Sequence, residues 1–147
     1  MQHSQLLMRS CLFVFSGEHQ LRVELETFAG GHYFAEYSHF RVDSESSNFR
    51  LEVSGYSGTA GDSLSSAHHG HSGHSFSTFD RDNDERFLDN CARLFRGAWW
   101  FNDCFQSHLN GEYRTRADHD DFLASSGIQW RSLHAHASLK SVQMMIT

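Results

Sequence analysis

The chain contains no proline. None of its turns can therefore rest on a ring-locked φ, and Gly, Ser, Asn and Asp must supply them. It has no run approaching the roughly 18 consecutive apolar residues of a membrane-spanning helix. It has no basic stripe either. The net charge is −6, with acids and bases interspersed, which points away from nucleic acid, whose binding rests on phosphate neutralisation. Neither a G-x-S-x-G elbow nor an H-E-x-x-H pair occurs, and the chain reads as a non-enzyme. Cysteine is scarce: Cys11, Cys91 and Cys104. If Cys91 and Cys104 pair, the closed loop is short and contributes about 3 kcal/mol in the chain-entropy model. Cys11 is then left over, either free or joined to another chain. As nucleophiles the same cysteines would need exposure and a nearby base. The N-terminus, MQHSQLLMRSCLFVFSG, is a poor signal peptide, because Arg9 interrupts the apolar run and no positive n-region precedes it.

What is present is a single domain's worth of chain, 147 residues rich in Phe, long enough to bury a core unaided. HQLRVELETF (His19–Phe28) alternates cleanly, with Leu21, Val23 and Leu25 on one face and Arg22, Glu24 and Glu26 on the other; this predicts a half-buried strand. AGG makes a turn, HYFAEYSHFRVD (His32–Asp43) reads as a second strand, and NFRLEVSGY as a third, in an antiparallel meander. SLKSVQMMI predicts a last strand, with Val142, Met144 and Ile146 sharing a face. ADHDDFLASS reads as one or two helical turns, and Asn110-Gly111 as a turn. From Ser57 to Ser77 the chain is Gly, Ser and His without periodicity, so a long irregular region follows the sheet.

Two stretches hold potential metal ligands. Asp80, Asp82 and Asp84 alternate in FSTFDRDNDERFLDNC, a spacing that can aim carboxylates at one hard cation while carbonyls between them turn inward. It is not an EF-hand, since Glu85 stands where the sharp-turn Gly belongs and Cys91 where the bidentate Glu belongs. A solvated acidic loop remains the alternative. His68, His69, His71 and His74 have the density of a zinc site, but a Gly/Ser-rich tract offers neither rigid geometry nor supporting partners. The expectation there is a loose surface segment that titrates between roughly pH 5 and 7.

Several blocks in order carry a resemblance: VSGYSGTAGDSL (Val53–Leu64), FSTFDRDND (Phe76–Asp84), NCA, GAWWFNDC (Gly97–Cys104), LNGEY, GIQW and SLKSVQMMI. Together they resemble the fibrinogen C-terminal domain, shared by ficolins, tachylectins, tenascins and microfibril-associated glycoproteins. The likeness runs from about Ser16 to the C-terminus. Residues 1–15 match nothing in it, and the family's first third, with an N-terminal disulfide and Gly-Gly-Trp strands, has no counterpart, so the sequence reads as an N-terminally truncated member. The resemblance implies an α+β fold: a central antiparallel sheet plus a loop-rich C-terminal subdomain with a calcium loop. An incomplete sheet implies an exposed edge that invites aggregation.

The family's calcium loop implies Ca2+ held by the Asp82 and Asp84 side chains, with carbonyls from Phe87 and Asp89; Arg86 and Leu88 are the alternatives, because the loop is one residue longer than usual before the cysteine. Asp80 is then supporting. The resemblance pairs Cys91 with Cys104 and makes Asp103-Cys104 a cis peptide beside a pocket for an acetyl group or carboxylate. Phe95, Asp103, Cys104, Phe105, Ala124 and Ser125 fall at that pocket. It looks altered: Phe105 stands for a common His, Phe95 for Tyr, and Ala124 and Ala137 for rings. Phe95 and Phe105 suit core packing as well as ligand contact, and Trp99, Trp100 and Trp130 suit the core. The implied function is an extracellular, secreted, calcium-dependent, lectin-like recognition module for acetylated glycans or protein ligands in innate defence or matrix. The alternatives are an interaction module that keeps the calcium loop without a working acetyl pocket, or a non-functional truncated paralogue. Relatives oligomerise through segments not seen in this sequence.

Overall fold

A computed structural model of the chain describes residues 17–117 and 126–147. Four strands form one antiparallel sheet in the order β3-β2-β1-β6: β1 His19–Glu26, β2 His32–Val42, β3 Leu51–Gly58 and β6 Ser141–Ile146. A second ribbon pairs β4 Ser107–His108 with β5 Gln129–Trp130. The helical content described is a 3-10 turn at Glu45–Ser47 and one short helix, α1, Cys91–Leu94. This is the α+β arrangement expected. Most of the predicted turn-helix ADHDDFLASS, and Cys11, lie outside the described residues.

Alternation explains β1: Leu21, Val23 and Leu25 are buried while Arg22, Glu24 and Glu26 reach solvent. In β2 the pattern changes phase. Ala35 and Tyr37 are buried, and then Phe40 and Val42. The cause is a bulge: Leu21 pairs with Tyr37 but His19 pairs with Phe40, so β2 carries one extra residue. The apolar face packs on an aromatic layer from the irregular half, where Trp99, Trp100 and Trp130 are buried as expected and Phe101 and Phe105 are buried beside them. Polar ties join the halves. Trp100 Nε1 donates to the Phe49 carbonyl at 2.7 Å, Trp130 Nε1 to the Gly61 carbonyl at 2.9 Å, and the Tyr37 hydroxyl to Asp62 at 2.9 Å. Each satisfies a buried donor that would otherwise cost about 1–3 kcal/mol.

β6 sits at the end of the sheet, with Val142, Met144 and Ile146 opposite Leu25, Val23 and Leu21. They share the core-side face, as the sequence predicts. Yet Met144 is 36% exposed and Ile146 43%, because no element among the described residues covers the far side of that strand.

Candidate functional site

The acidic loop leaves the aromatic layer at an antiparallel bridge between Ser77 and Trp99. Asn83 then decides its geometry. Its side-chain amide donates inward to the Phe76 carbonyl at 2.7 Å, and its backbone N–H to Ser77 Oγ at 2.9 Å. With Asn83 turned in, Asp82 and Asp84 turn to the other side together, and the Asp84 N–H donates to Asp82 Oδ1 at 3.2 Å. Asp84 is then fixed at both oxygens. The Arg86 N–H donates to one at 2.9 Å and the Cys91 N–H to the other at 2.8 Å. Asp80 is spent locally, accepting from Thr78 Oγ1 at 2.6 Å.

These contacts pull in opposite directions on the Asp84 carboxyl. Partial burial raises it, the Cys91 and Arg86 N–H groups lower it, and the Asp82 carboxylate raises it again, for a net upward shift. Two neighbouring carboxylates, Asp84 partly buried and Asp82 exposed, are the charge arrangement that a hard cation relieves. No group of three or more His, Cys, Asp or Glu side chains converges among the described residues. A cation at Asp82 and Asp84 would therefore complete its shell from carbonyls and water, which suits an oxygen-seeking ion and not zinc. Phe87 and Asp89, whose carbonyls the sequence nominates, are exposed in the loop's outer bend, with the Asp89 carboxylate 3.5 Å from Arg86.

The loop ends on α1, capped by Asn90, whose side-chain oxygen accepts from the Arg93 N–H at 3.0 Å. Cys91 opens the helix and is joined to Cys104 by a disulfide. The Asp103-Cys104 peptide is cis. Arg86 crosses from the loop to this segment, its Nη1 2.9 Å from Asp103 Oδ1, and Glu85 N–H donates to the Asn102 carbonyl at 3.2 Å. Loop, disulfide and Asp103 thus form one unit.

Behind that unit the rings close up. Phe95 and Phe105 are buried and meet edge to face at 4.8 Å, and the Arg131 guanidinium carbon lies 4.6 Å over the Phe105 ring. Both rings pack in the core, while the Asp103 side chain remains half exposed. Ala124 and Ser125 lie outside the described residues. A cleft of about 550 Å³ lies elsewhere, over one end of the sheet beside Arg22, Glu26, His32, Phe34 and Gln143. Its charges largely answer one another, Arg22 with Glu24 and Glu36, and Lys140 with Glu26.

The histidine tract differs from expectation at one residue. His68 and His69 are exposed, but His71 is fully buried. Its Nδ1 bonds to the Trp100 carbonyl at 2.6 Å, and its Nε2 accepts from the N–H groups of Gln106 and Ser107 at 3.1 and 3.0 Å. The neutral ring therefore holds three backbone groups of the segment around the disulfide. His108, also buried, lies against Phe101 and Phe105 with neither ring nitrogen hydrogen-bonded. Composition could not separate these two from the other ten histidines.

Comparison with known proteins agrees with this architecture. The profile of the "Fibrinogen beta and gamma chains, C-terminal globular domain" family matches residues 11–147. The chain is 42% identical to human fibrinogen alpha chain over 139 residues, covering 86% of this chain and 16% of that one. It is 42% identical to mouse angiopoietin-related protein 7 over 129 residues, covering 86% of this chain and 36% of the relative. It thus spans well under half of these curated relatives. Among solved structures, the fibrinogen-like globe domain of human ANGPTL2 superposes with a TM-score of 0.86 at 35% identity, covering 96% of this chain and 63% of that one. A lamprey fibrin D-dimer, complexed with the peptide Gly-His-Arg-Pro-amide, superposes with a TM-score of 0.83 at 30% identity, covering 95% and 48% respectively. A four-stranded sheet joined to a disulfide-bound loop region, and a profile match over nearly the whole length, say the same thing: the chain belongs to the fibrinogen C-terminal domain family.

Proposed function

We propose that this chain is a non-enzymatic extracellular recognition module, braced by calcium at Asp82 and Asp84, that presents the Asp103-Cys104 segment to a polypeptide ligand. One observation carries the reading: the Asp82–Asp84 pair is wired to the Asp103 segment through Arg86 and through the Cys91–Cys104 disulfide. An ion there would supply charge neutralisation and hold the loop, and Phe87 and Asp89 are the nominated carbonyl donors. The disulfide suits an oxidising compartment outside the cell. Burial of Phe95 and Phe105 favours a polypeptide over an acetylated glycan, because those rings are committed to each other and not to a ligand's methyl group.

The test has two parts. Calcium at a hundredfold over its Kd stabilises a single-site protein by about 2.7 kcal/mol, so Tm should rise by roughly 5–10 °C in the natural chain and stay unchanged in Asp82→Asn/Asp84→Asn. A flat Tm in both removes the calcium reading. The second part is passage over an acetylated resin in calcium. Flow-through is expected; retention reversed by EDTA or free acetate restores the lectin reading in place of the polypeptide one.

A further inference from the structure

The acidic loop ends in an apolar tip that the calcium reading does not use. Phe87 is 97% exposed and Leu88 84%, side by side in the chain, and Phe79 is 68% exposed. Two ties bring Phe79 to the same end of the molecule: Arg93 Nε donates to the Phe79 carbonyl at 2.6 Å, and the Asn90 side chain to the Thr78 carbonyl at 3.1 Å. The backbone that carries Phe79 is thus tied to α1 and its cap, the element that directly follows the Phe87–Leu88 bend. Exposure of a single apolar residue needs no explanation, but three together mark a contact surface.

We propose that Phe79, Phe87 and Leu88 dock this end of the molecule on an anionic phospholipid surface when Asp82 and Asp84 hold calcium. The proposal rests on the calcium reading above. Shape comes first. Residues this exposed are touched by almost nothing of their own chain, so the tip is convex, and a bilayer interface accepts a convex apolar tip without a matching cleft. Charge comes second. From Asp80 to Arg93 there are five carboxylates against three guanidiniums, a net charge of −2. All three guanidiniums are engaged internally, Arg81 with the Asn48 side-chain oxygen, Arg86 with Asp89 and Asp103, and Arg93 with the Phe79 carbonyl. Without the ion this end repels an anionic surface. One divalent cation brings the stretch to neutrality, and oxygens of a phospholipid headgroup are the ligands such an ion accepts. A basic-rimmed protein cleft would show the opposite dependence, binding best without the ion.

The test is co-sedimentation with vesicles of phosphatidylcholine and phosphatidylserine, with calcium or with EDTA, beside calorimetric titration of calcium alone. Calcium-dependent sedimentation that falls about tenfold or more in Phe79→Ser, with calcium uptake intact in that variant, is expected. The Phe79 side chain is exposed and stands outside the nominated calcium donors, so the variant should keep the fold and the ion site, and an unchanged Tm verifies the first. Calcium uptake without sedimentation overturns the docking and leaves the calcium site standing. Absence of both overturns both. Sedimentation that persists in the variant, or that EDTA leaves unchanged, overturns the docking. So does self-association in ultracentrifugation that the variant abolishes without any vesicle binding, since the tip would then serve a second copy of this chain.

Discussion

His71 and His108 are both buried imidazoles, and they have opposite effects on the fold. His71 holds three backbone groups, so His71→Leu should leave two N–H groups and a carbonyl unpartnered and cost about 3–5 kcal/mol in denaturant unfolding. His108 satisfies nothing at its ring nitrogens, so His108→Leu should be close to neutral at pH 7. Burial is the main cause holding their pKa values near 4 and 3, well under the ordinary 6.5. The folded chain therefore refuses protons that the unfolded chain takes up below about pH 6.5. Full stability is present above that pH and is lost as pH falls from 6.5 towards 4, at about 1.4 kcal/mol per pH unit for each histidine. Urea midpoints measured across that window should fall steeply, and His108→Leu should halve the slope. An undiminished slope would place the proton uptake elsewhere. Nothing in a tract of Gly, Ser and His distinguishes one buried ring from its exposed neighbours, so this behaviour was not legible from sequence. The tertiary contact with Trp100 and β4 creates it.

Among the elements, the acidic loop and α1 depend on a covalent tie. The Cys91–Cys104 disulfide, at a sequence separation of 13, should contribute about 3 kcal/mol. Cys91→Ser/Cys104→Ser should lose that amount in chemical denaturation. It should also weaken calcium binding measured by calorimetry, because Cys91 is the residue whose N–H orients Asp84. Retained calcium affinity in the double variant would show that the loop is set by its own turns. Much at this scale could be read in advance. Alternation marked β1, and multi-residue blocks marked the disulfide loop. The phase change in β2 could not be read, because the extra residue at its bulge is defined only by pairing with β1. The ties from Arg86 to Asp103 and from Arg93 to Phe79 were equally hidden, since long basic side chains carry no sign of which partner they will meet.

For the molecule as a whole, β6 ends the sheet on one side among the described residues. β6 carries Met144 and Ile146 half exposed on the core-side face, and an edge strand with apolar side chains is a site for unwanted pairing. Ile146→Lys should lower concentration-dependent light scattering while changing unfolding free energy by less than about 1 kcal/mol, because the side chain is already partly in water. Unchanged scattering would direct attention to the Phe87–Leu88 tip. The resemblance implied an exposed border, and the order β3-β2-β1-β6 puts β3 and β6 at the two borders among the described residues. The placement of Trp99, Trp100 and Trp130, all buried and two of them bonded through their indole N–H to carbonyls of Phe49 and Gly61 on either side of β3, gives the protein an internal optical gauge. Native emission should be blue-shifted and poorly quenched by acrylamide. Because Trp100 and Trp130 each bond a segment that flanks β3, a red shift would report their parting from those segments before the sheet itself unravels.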